Sequence, residues 1–435
     1  MIAAALGFAI VIAMVFARIP IAVAMAIVGF FGFAMLVDFY PAFYLVGQVT
    51  RTTVESYELS VVPLFILMGN FVSRARISED LYAASHAFIG HYKGGLAMST
   101  IVACGGFSAI CGSSLATAAT MAKVAMPPMR KYGYADSLAA ASISAGGTLG
   151  ILIPPSVILV LFGLLTETDI RALFAAGLLP GLLGVACYLA AVRYVVWRHP
   201  ERGPAGERVD MAARLAALRG VWPVIALFVL VIGGIYAGIF TPTESGGIGA
   251  FGAFVFALVR RALNWRTLLS VLIETAVTTS ALFVVLIGAL IFANFINETR
   301  MTTELARQIT DANFSPMLVM LVIIGIYLVL GCVFESMSML LLTVPVFASL
   351  IAALDFGMTP EETMIWFGIV VVVVTEISLI TPPIGMNVFT LSSMLPDVST
   401  KTIFAGVFPF WSVDIIRLAI LVLVPGISLL IPSLI

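Results

Sequence analysis

Glu376-Ile377-Ser378-Leu379-Ile380-Thr381-Pro382-Pro383-Ile384-Gly385-Met386-Asn387 sets a Pro-Pro pair inside an apolar run. Proline lacks a backbone donor and clashes with the turn before it, so a helix over this stretch must break. The device occurs a second time, as Gly146-Gly147-Thr148-Leu149-Gly150-Ile151-Leu152-Ile153-Pro154-Pro155-Ser156. A break at membrane depth frees carbonyls and amides that lipid cannot satisfy, and it is tolerated only against protein or a polar cavity. Two such breaks in corresponding halves point to a binding site of a transporter.

The surroundings are those of a membrane protein. Of 435 residues, 61% are hydrophobic and 10% charged, too little charge to cover a soluble chain of this size. The net charge of −1 says little about partners, and no nucleic acid is expected among them. Cys104, Cys111, Cys187 and Cys332 have neither metal spacing nor a disulfide framework and read as small buried residues. Residues 2–17 carry no basic leader and no cleavage site, so they read as a first membrane helix rather than a signal peptide.

A spanning helix takes roughly 20 apolar residues. The first half offers 1–17, 20–38, 54–72, 134–165 and 169–197; the second offers 222–240, 244–259, 268–296, 362–394 and 403–432. Two further apolar blocks, 95–126 and 316–352, are interrupted by Ser108–Ser114 and by Gly331–Ser338. An arm from Leu96 to Phe107 rises only about 18 Å as a helix, short of a hydrocarbon core of roughly 30 Å. Both blocks therefore read as re-entrant hairpins that enter and leave on one side.

Residues 199–220 are polar and arginine-rich, which places them on the cytoplasmic side. Within them 207–219 reads either as an interfacial helix or as a solvated linker. From that anchor, the turn Thr241–Glu244 lies outside, the first hairpin opens to the cytoplasm and the second opens outward. Each half, 1–198 and 221–435, then holds five spans and one hairpin, and the odd count inverts the second copy. Gly177 and Pro180 follow the first break much as Gly406 and Pro409 follow the second. The expectation is an all-α, polytopic protein with an inverted repeat, two hairpins and two broken helices. Helices 1–72 and 222–296 form its scaffold.

Where hairpin tips meet breaks, unwound carbonyls and half-helix C-termini suit Na⁺, while half-helix N-termini suit an anion. The first cavity draws on Ser108, Ser113, Ser114, Gly146, Gly150 and Ser156. The second draws on Gly331, Glu335, Ser336, Ser338, Ser378, Thr381 and Asn387. Glu335 is the sharpest single residue, because a carboxylate at hairpin depth is expensive. It reads as a Na⁺ ligand, a proton carrier, a partner for a substrate hydroxyl, or an acceptor for hairpin-tip amides. Glu376 precedes the break and serves to fix it, and Asp414 and Arg417, three apart, satisfy each other.

Ser108–Met121, Met126-Pro127-Pro128-Met129, Ala145–Ser156, Val333–Pro345 and Glu376–Phe389 resemble the large membrane subunit of tripartite ATP-independent periplasmic (TRAP) transporters. The resemblance spans essentially the whole chain. It implies an elevator-type fold related to divalent-anion/Na⁺ symporters, and Na⁺-coupled uptake of an organic acid across a bacterial inner membrane. The implied partners are a periplasmic binding protein and a small four-helix membrane subunit, expected as a separate chain. It also implies one Na⁺ near Ser108, Ser113, Gly146, Gly150 and Ile153, and another near Gly331, Ser336, Ser378, Thr381 and Ile384. Substrate is then expected near Ser113, Ser114, Ser156, Glu335 and Asn387. Cys111 stands where the family commonly has serine, and Ser378 where it commonly has glycine.

Other classes fare worse. The chain has no Walker loop and no nucleotide fingerprint, so energy comes from an ion gradient or another subunit. An intramembrane hydrolase built on Ser113 or Ser114 lacks a base, because His86 and His91 fall in an interfacial segment. A channel does not need hairpins that seal opposite faces. The closest competitor is a stand-alone Na⁺/carboxylate symporter of the related superfamily.

Overall fold

Helix after helix in this chain starts on a side-chain cap that the sequence supplies. The computed structural model describes residues 1–435, except the side chain of Thr310. It contains no strand among the described residues. The first helices are α1 (Ile2–Phe16), α2 (Ile21–Leu36), α3 (Phe39–Glu55), α4 (Val61–Arg74) and α5 (Ile77–Ile89). A hairpin follows, α6 (Gly95–Cys111) and α7 (Ser114–Lys131), then α8 (Asp136–Thr148), α9 (Val157–Thr166) and α10 (Ile170–Arg198). The second half opens with α11 (Met211–Phe228), which passes through a π-turn into α12 (Gly234–Tyr236). Then come α13 (Pro242–Val259), α14 (Trp265–Glu298) and the amphipathic α15 (Met301–Asp311). The second hairpin is α16 (Pro316–Leu330) and α17 (Ser336–Ala352), followed by α18 (Pro360–Ser378), α19 (Met386–Met394) and α20 (Thr400–Leu423).

Thr241 and Thr359 each form a capping box with a glutamate three residues on, Glu244 and Glu362. Each box satisfies two donors that the first turn leaves orphaned. Asp169, Asp210, Asn264, Ser315 and Ser399 cap α10, α11, α14, α16 and α20 with their side chains.

By length and apolarity, five helices could cross a membrane: α10, α11 with α12, α13, α14 and α20. A sixth is the pair α3–α4, bent by 59°. The span expected at 54–72 is preceded by α3, which falls outside that expectation because it carries Gln48, Arg51 and Thr52 on one face. The hairpin arm α6 has 17 residues, about 25 Å at 1.5 Å per residue. It is longer than the arm expected from Leu96–Phe107, because Ser108 and Cys111 stay helical. The stretch 207–219 is not a separate element. α11 starts at Met211, capped by Asp210, and continues unbroken past 220, so that boundary falls inside a helix.

Helices pack in pairs across the two halves. α2 lies along α14, and α4 along α13. Glycines make the first close: a Cβ at Gly29 would lie 2.7 Å from the Phe292 backbone. The hairpin α6–α7 packs on α8, and α16–α17 packs on α18. The second arms cross over, α7 against α19 and α17 against α9. At one rim Arg260 of α13 pairs with Asp80 of α5 and donates to the carbonyls of Ala75 (3.3 Å) and Gly220 (3.2 Å).

Candidate functional site

At the first break α8 ends at Thr148, tightens into a 3₁₀ turn at Leu149–Ile151 and resumes as α9 at Val157. The Pro154–Pro155 peptide is cis, as is Pro382–Pro383 in the second break. Ser156 closes the gap: its hydroxyl donates to the Ile151 carbonyl (2.5 Å) and accepts from the Leu159 amide (3.3 Å). Its oxygen thus serves the break itself. Residues 151–156 are all buried.

The first hairpin tip meets this break backbone to backbone. A Cβ on Gly150 would lie 2.7 Å from the Ser113 carbonyl oxygen. One on Gly112 would lie 2.9 Å from the Pro155 carbonyl oxygen, and Gly112 has φ +64°. Only glycine combines that left-handed turn with so close an approach. Ser113 caps α7 through the Ala116 amide (3.4 Å), and its carbonyl accepts from the Thr117 hydroxyl (2.7 Å). Ser114 begins that helix and is buried. Ser108 is fully buried near the end of α6, and its hydroxyl has no hydrogen-bond partner among the described residues. Gly146 sits against Cys104, and Ile153 against Gly181 of α10. An orphaned buried hydroxyl in α6 and the closely approached carbonyls of Ser113 and Pro155 are hard-oxygen groups of the kind a small cation takes.

The second break runs from Ser378 to Gly385, whose φ of +55° launches α19. The Ser378 hydroxyl donates to the Thr375 carbonyl (2.7 Å). Thr381 donates to the Ile377 carbonyl (2.6 Å) and accepts from Trp411 Nε1 (3.0 Å). The second hairpin tip closes on this break. Gly331 abuts the Ser378 side chain, and Cys332 Sγ donates to the Pro382 carbonyl at 3.3 Å. Ser336 is buried, whereas Pro382, Pro383 and Ile384 are exposed. A 220 Å³ pocket lined by Thr381, Pro382, Phe404 and Trp411 flanks the break. One break is therefore sealed and the other accessible.

Gly331→Ala should push the tip off Ser378, because the new methyl overlaps that side chain. Thermal unfolding checks it: a lower melting temperature than the parent's is the expected outcome, and an unchanged one would show that the tip yields freely.

Glu335 is half-buried and caps α17. It accepts from the Met337 and Ser338 amides (3.1 and 3.2 Å) and from the Ser338 hydroxyl (3.4 Å). Asn387 joins the halves: its Nδ2 donates to the Ser144 carbonyl of α8 at 3.1 Å, and its amide donates to Leu379 (3.0 Å). Its Oδ1 and the Ser144 hydroxyl have no partner among the described residues. Of the residues expected at the first break, the structure places Ser113 of the tip against Gly150 of the break, while Gly146 meets Cys104, Ile153 meets Gly181 and Ser156 bonds within the break itself. Of those expected at the second, it places Gly331 against Ser378, whereas Thr381 bonds to Ile377 and Trp411 and Ile384 is exposed. The 730 Å³ cleft between the α3–α4 bend and the loops at Glu167–Asp169 and Thr241–Thr243 lies apart from both.

The sequence reading missed a buried polar network behind the breaks. It took Asp414 and Arg417 as a self-contained pair, yet Arg417 also pairs with Glu376 of α18. All three are fully buried, and Tyr188 of α10 donates to Asp414 Oδ2 at 2.6 Å. Charges of opposite sign in two separate apolar helices were the available signal.

Helices interrupted at paired prolines, each met by a hairpin tip, define a polytopic membrane protein with the build of a transporter. The chain matches the family described as Tripartite ATP-independent periplasmic transporter, DctM component, over residues 8–427, and it belongs to that family. It is 35% identical to the C4-dicarboxylate TRAP transporter large permease protein DctM of Pseudomonas aeruginosa, over 88% of this chain and 87% of that one. It is 30% identical to the sialic acid TRAP transporter large permease protein SiaM of Vibrio cholerae, again over 88% and 87%. In fold it is similar to the YdaH transporter of Alcanivorax borkumensis. There the TM-score is 0.64 at 14% identity, with 90% of each chain covered. The chain is thus an integral membrane transporter subunit, and permeases of this family are not enzymes.

Proposed function

We propose that this large permease subunit imports an organic acid across the bacterial inner membrane, driven by Na⁺. It works with a small four-helix membrane subunit and a periplasmic binding protein. The observation that carries the reading is the contact of each hairpin tip with one proline break: Ser113 with Gly150, and Cys332 with Pro382. Each contact collects backbone carbonyls that would serve a cation, and α7, α9, α17 and α19 each begin at a hairpin tip or a break, where an N-terminus offers positive partial charge to an anion. The paired packing of α2 on α14 and α4 on α13, and of each hairpin on its own broken helix, supports an inverted repeat. The sealed first break beside the accessible second one suits an elevator cycle, in which the hairpins and broken helices move against a scaffold of α1–α4 and α11–α14. Relatives named for C4-dicarboxylates and sialic acid support a carboxylate as substrate.

Reconstitution tests the reading. Liposomes holding this chain with its small subunit should accumulate the acid only with binding protein outside and an inward Na⁺ gradient. Accumulation without binding protein would instead mark a stand-alone symporter. Thr381→Val should raise the Na⁺ concentration for half-maximal uptake, because the hydroxyl held by Ile377 and Trp411 is lost. An unchanged Na⁺ dependence would remove Thr381 from the site.

A further inference from the structure

Five buried side chains connect the residues that lead into the two breaks. The run begins at Thr148, the last residue of α8, whose Oγ1 lies 2.9 Å from the Tyr188 hydroxyl. Tyr188 gives its proton to Asp414 Oδ2 at 2.6 Å. Asp414 Oδ1 lies 3.2 Å from Arg417 Nη2, one turn along α20. The same nitrogen pairs with Glu376, two residues before α18 ends at Ser378. Thr148, Tyr188, Asp414, Arg417 and Glu376 are all fully buried. They come from four helices, α8, α10, α20 and α18, and nothing else in the site uses them.

Such a chain resists being pulled apart. A buried guanidinium that loses one of its carboxylates leaves an uncompensated charge in a low dielectric, which costs far more than slipping a neutral contact. Arg417 has no second position on the side of α10, because even a Cβ at Gly184 would overlap its guanidinium. Displacing α18 at Glu376 therefore drags Arg417, Asp414 and Tyr188, and through them the end of α8. Coupling between two sites requires an element that both of them bias, and this network touches the approach to each break.

We propose that Thr148, Tyr188, Asp414, Arg417 and Glu376 form a positioning network that couples the two cation sites, so that Na⁺ at one break strengthens binding at the other. The proposal rests on the Na⁺ reading given above. Its test is equilibrium binding of radioactive Na⁺ to the purified protein across a NaCl series, with choline chloride holding ionic strength constant. Thr148→Val deletes one link and Tyr188→Phe deletes two, and both leave the ion pairs of Arg417 intact.

The parent protein should bind Na⁺ with a steep, sigmoidal isotherm, its second ion bound about 5-fold or more tighter than the first. Both variants should bind the same number of ions along a hyperbolic isotherm. A merely structural role would change the amount of folded protein, not the steepness. If Tyr188→Phe does not fold, Thr148→Val alone gives the same reading from the other end of the chain. Variants as steep as the parent, or a hyperbolic parent, would overturn the coupling and leave the Na⁺ sites standing. A parent that binds no Na⁺ would overturn the cation reading, and the coupling with it.

Discussion

Glu335→Ala should cut uptake by at least about tenfold while lowering stability by only about 1 kcal/mol, the usual worth of a helix N-cap. Glu335 accepts from the amides of Met337 and Ser338, so part of its role is to hold the first turn of α17. A cap alone does not require glutamate, since shorter side chains do that work as well or better. A longer carboxylate, half-buried at a hairpin tip in a membrane protein, carries a charge that capping does not need. Glu335→Asn separates the two roles, because asparagine caps well but brings no charge. Uptake into proteoliposomes and thermal unfolding in detergent are the two readouts. Glu335→Asn should regain the stability and not the uptake. If it regains both, Glu335 is a cap and nothing more.

Arg417→Met should be the most damaging single change in the chain, with a stability loss of about 3–5 kcal/mol. It leaves Glu376 and Asp414 buried together with no cation between them. A loss of that size is a large share of the stability of an ordinary domain, so the expected result is little or no monodisperse protein on size exclusion. The triple change Arg417→Met, Glu376→Gln, Asp414→Asn removes all three charges together and should recover much of the folded fraction. The neutral amides keep the shape of the carboxylates and cost far less to bury than two unpaired charges. A single Arg417→Met that melts like the parent would show that the ion pairs carry no weight.

How much of this was readable in the sequence depends on how local the cause is. Pro154-Pro155 and Pro382-Pro383 act on their own turn, so the helix ends at Thr148 and Ser378 follow from covalent chemistry. Gly112 and Gly331 announce turns at the hairpin tips for the same reason. Amphipathic helices hide better: α3 carries Arg51 and Glu55 as a 3.0 Å pair on its exposed face, and the hydropathy that finds spans passes over it. Pairings distant along the chain are the hardest to read, and buried charge in an apolar helix is their only trace. Neither Asn387 on Ser144 nor Glu376 with Arg417 leaves a periodic trace, because each depends on where two helices lie in space. Ser378 shows the other limit. Its side chain presses on Gly331 of the second hairpin tip, a contact that no local pattern around Ser378 announces.

The most direct measurement is a high-resolution cryo-electron microscopy map of the protein with its small subunit in sodium buffer, set against one in choline buffer. The account predicts helices broken at both Pro-Pro pairs, tips 108–114 and 331–338 seated on them, and ion density at both contacts that vanishes in choline. Tips standing away from the breaks, or the same density in both buffers, would contradict it.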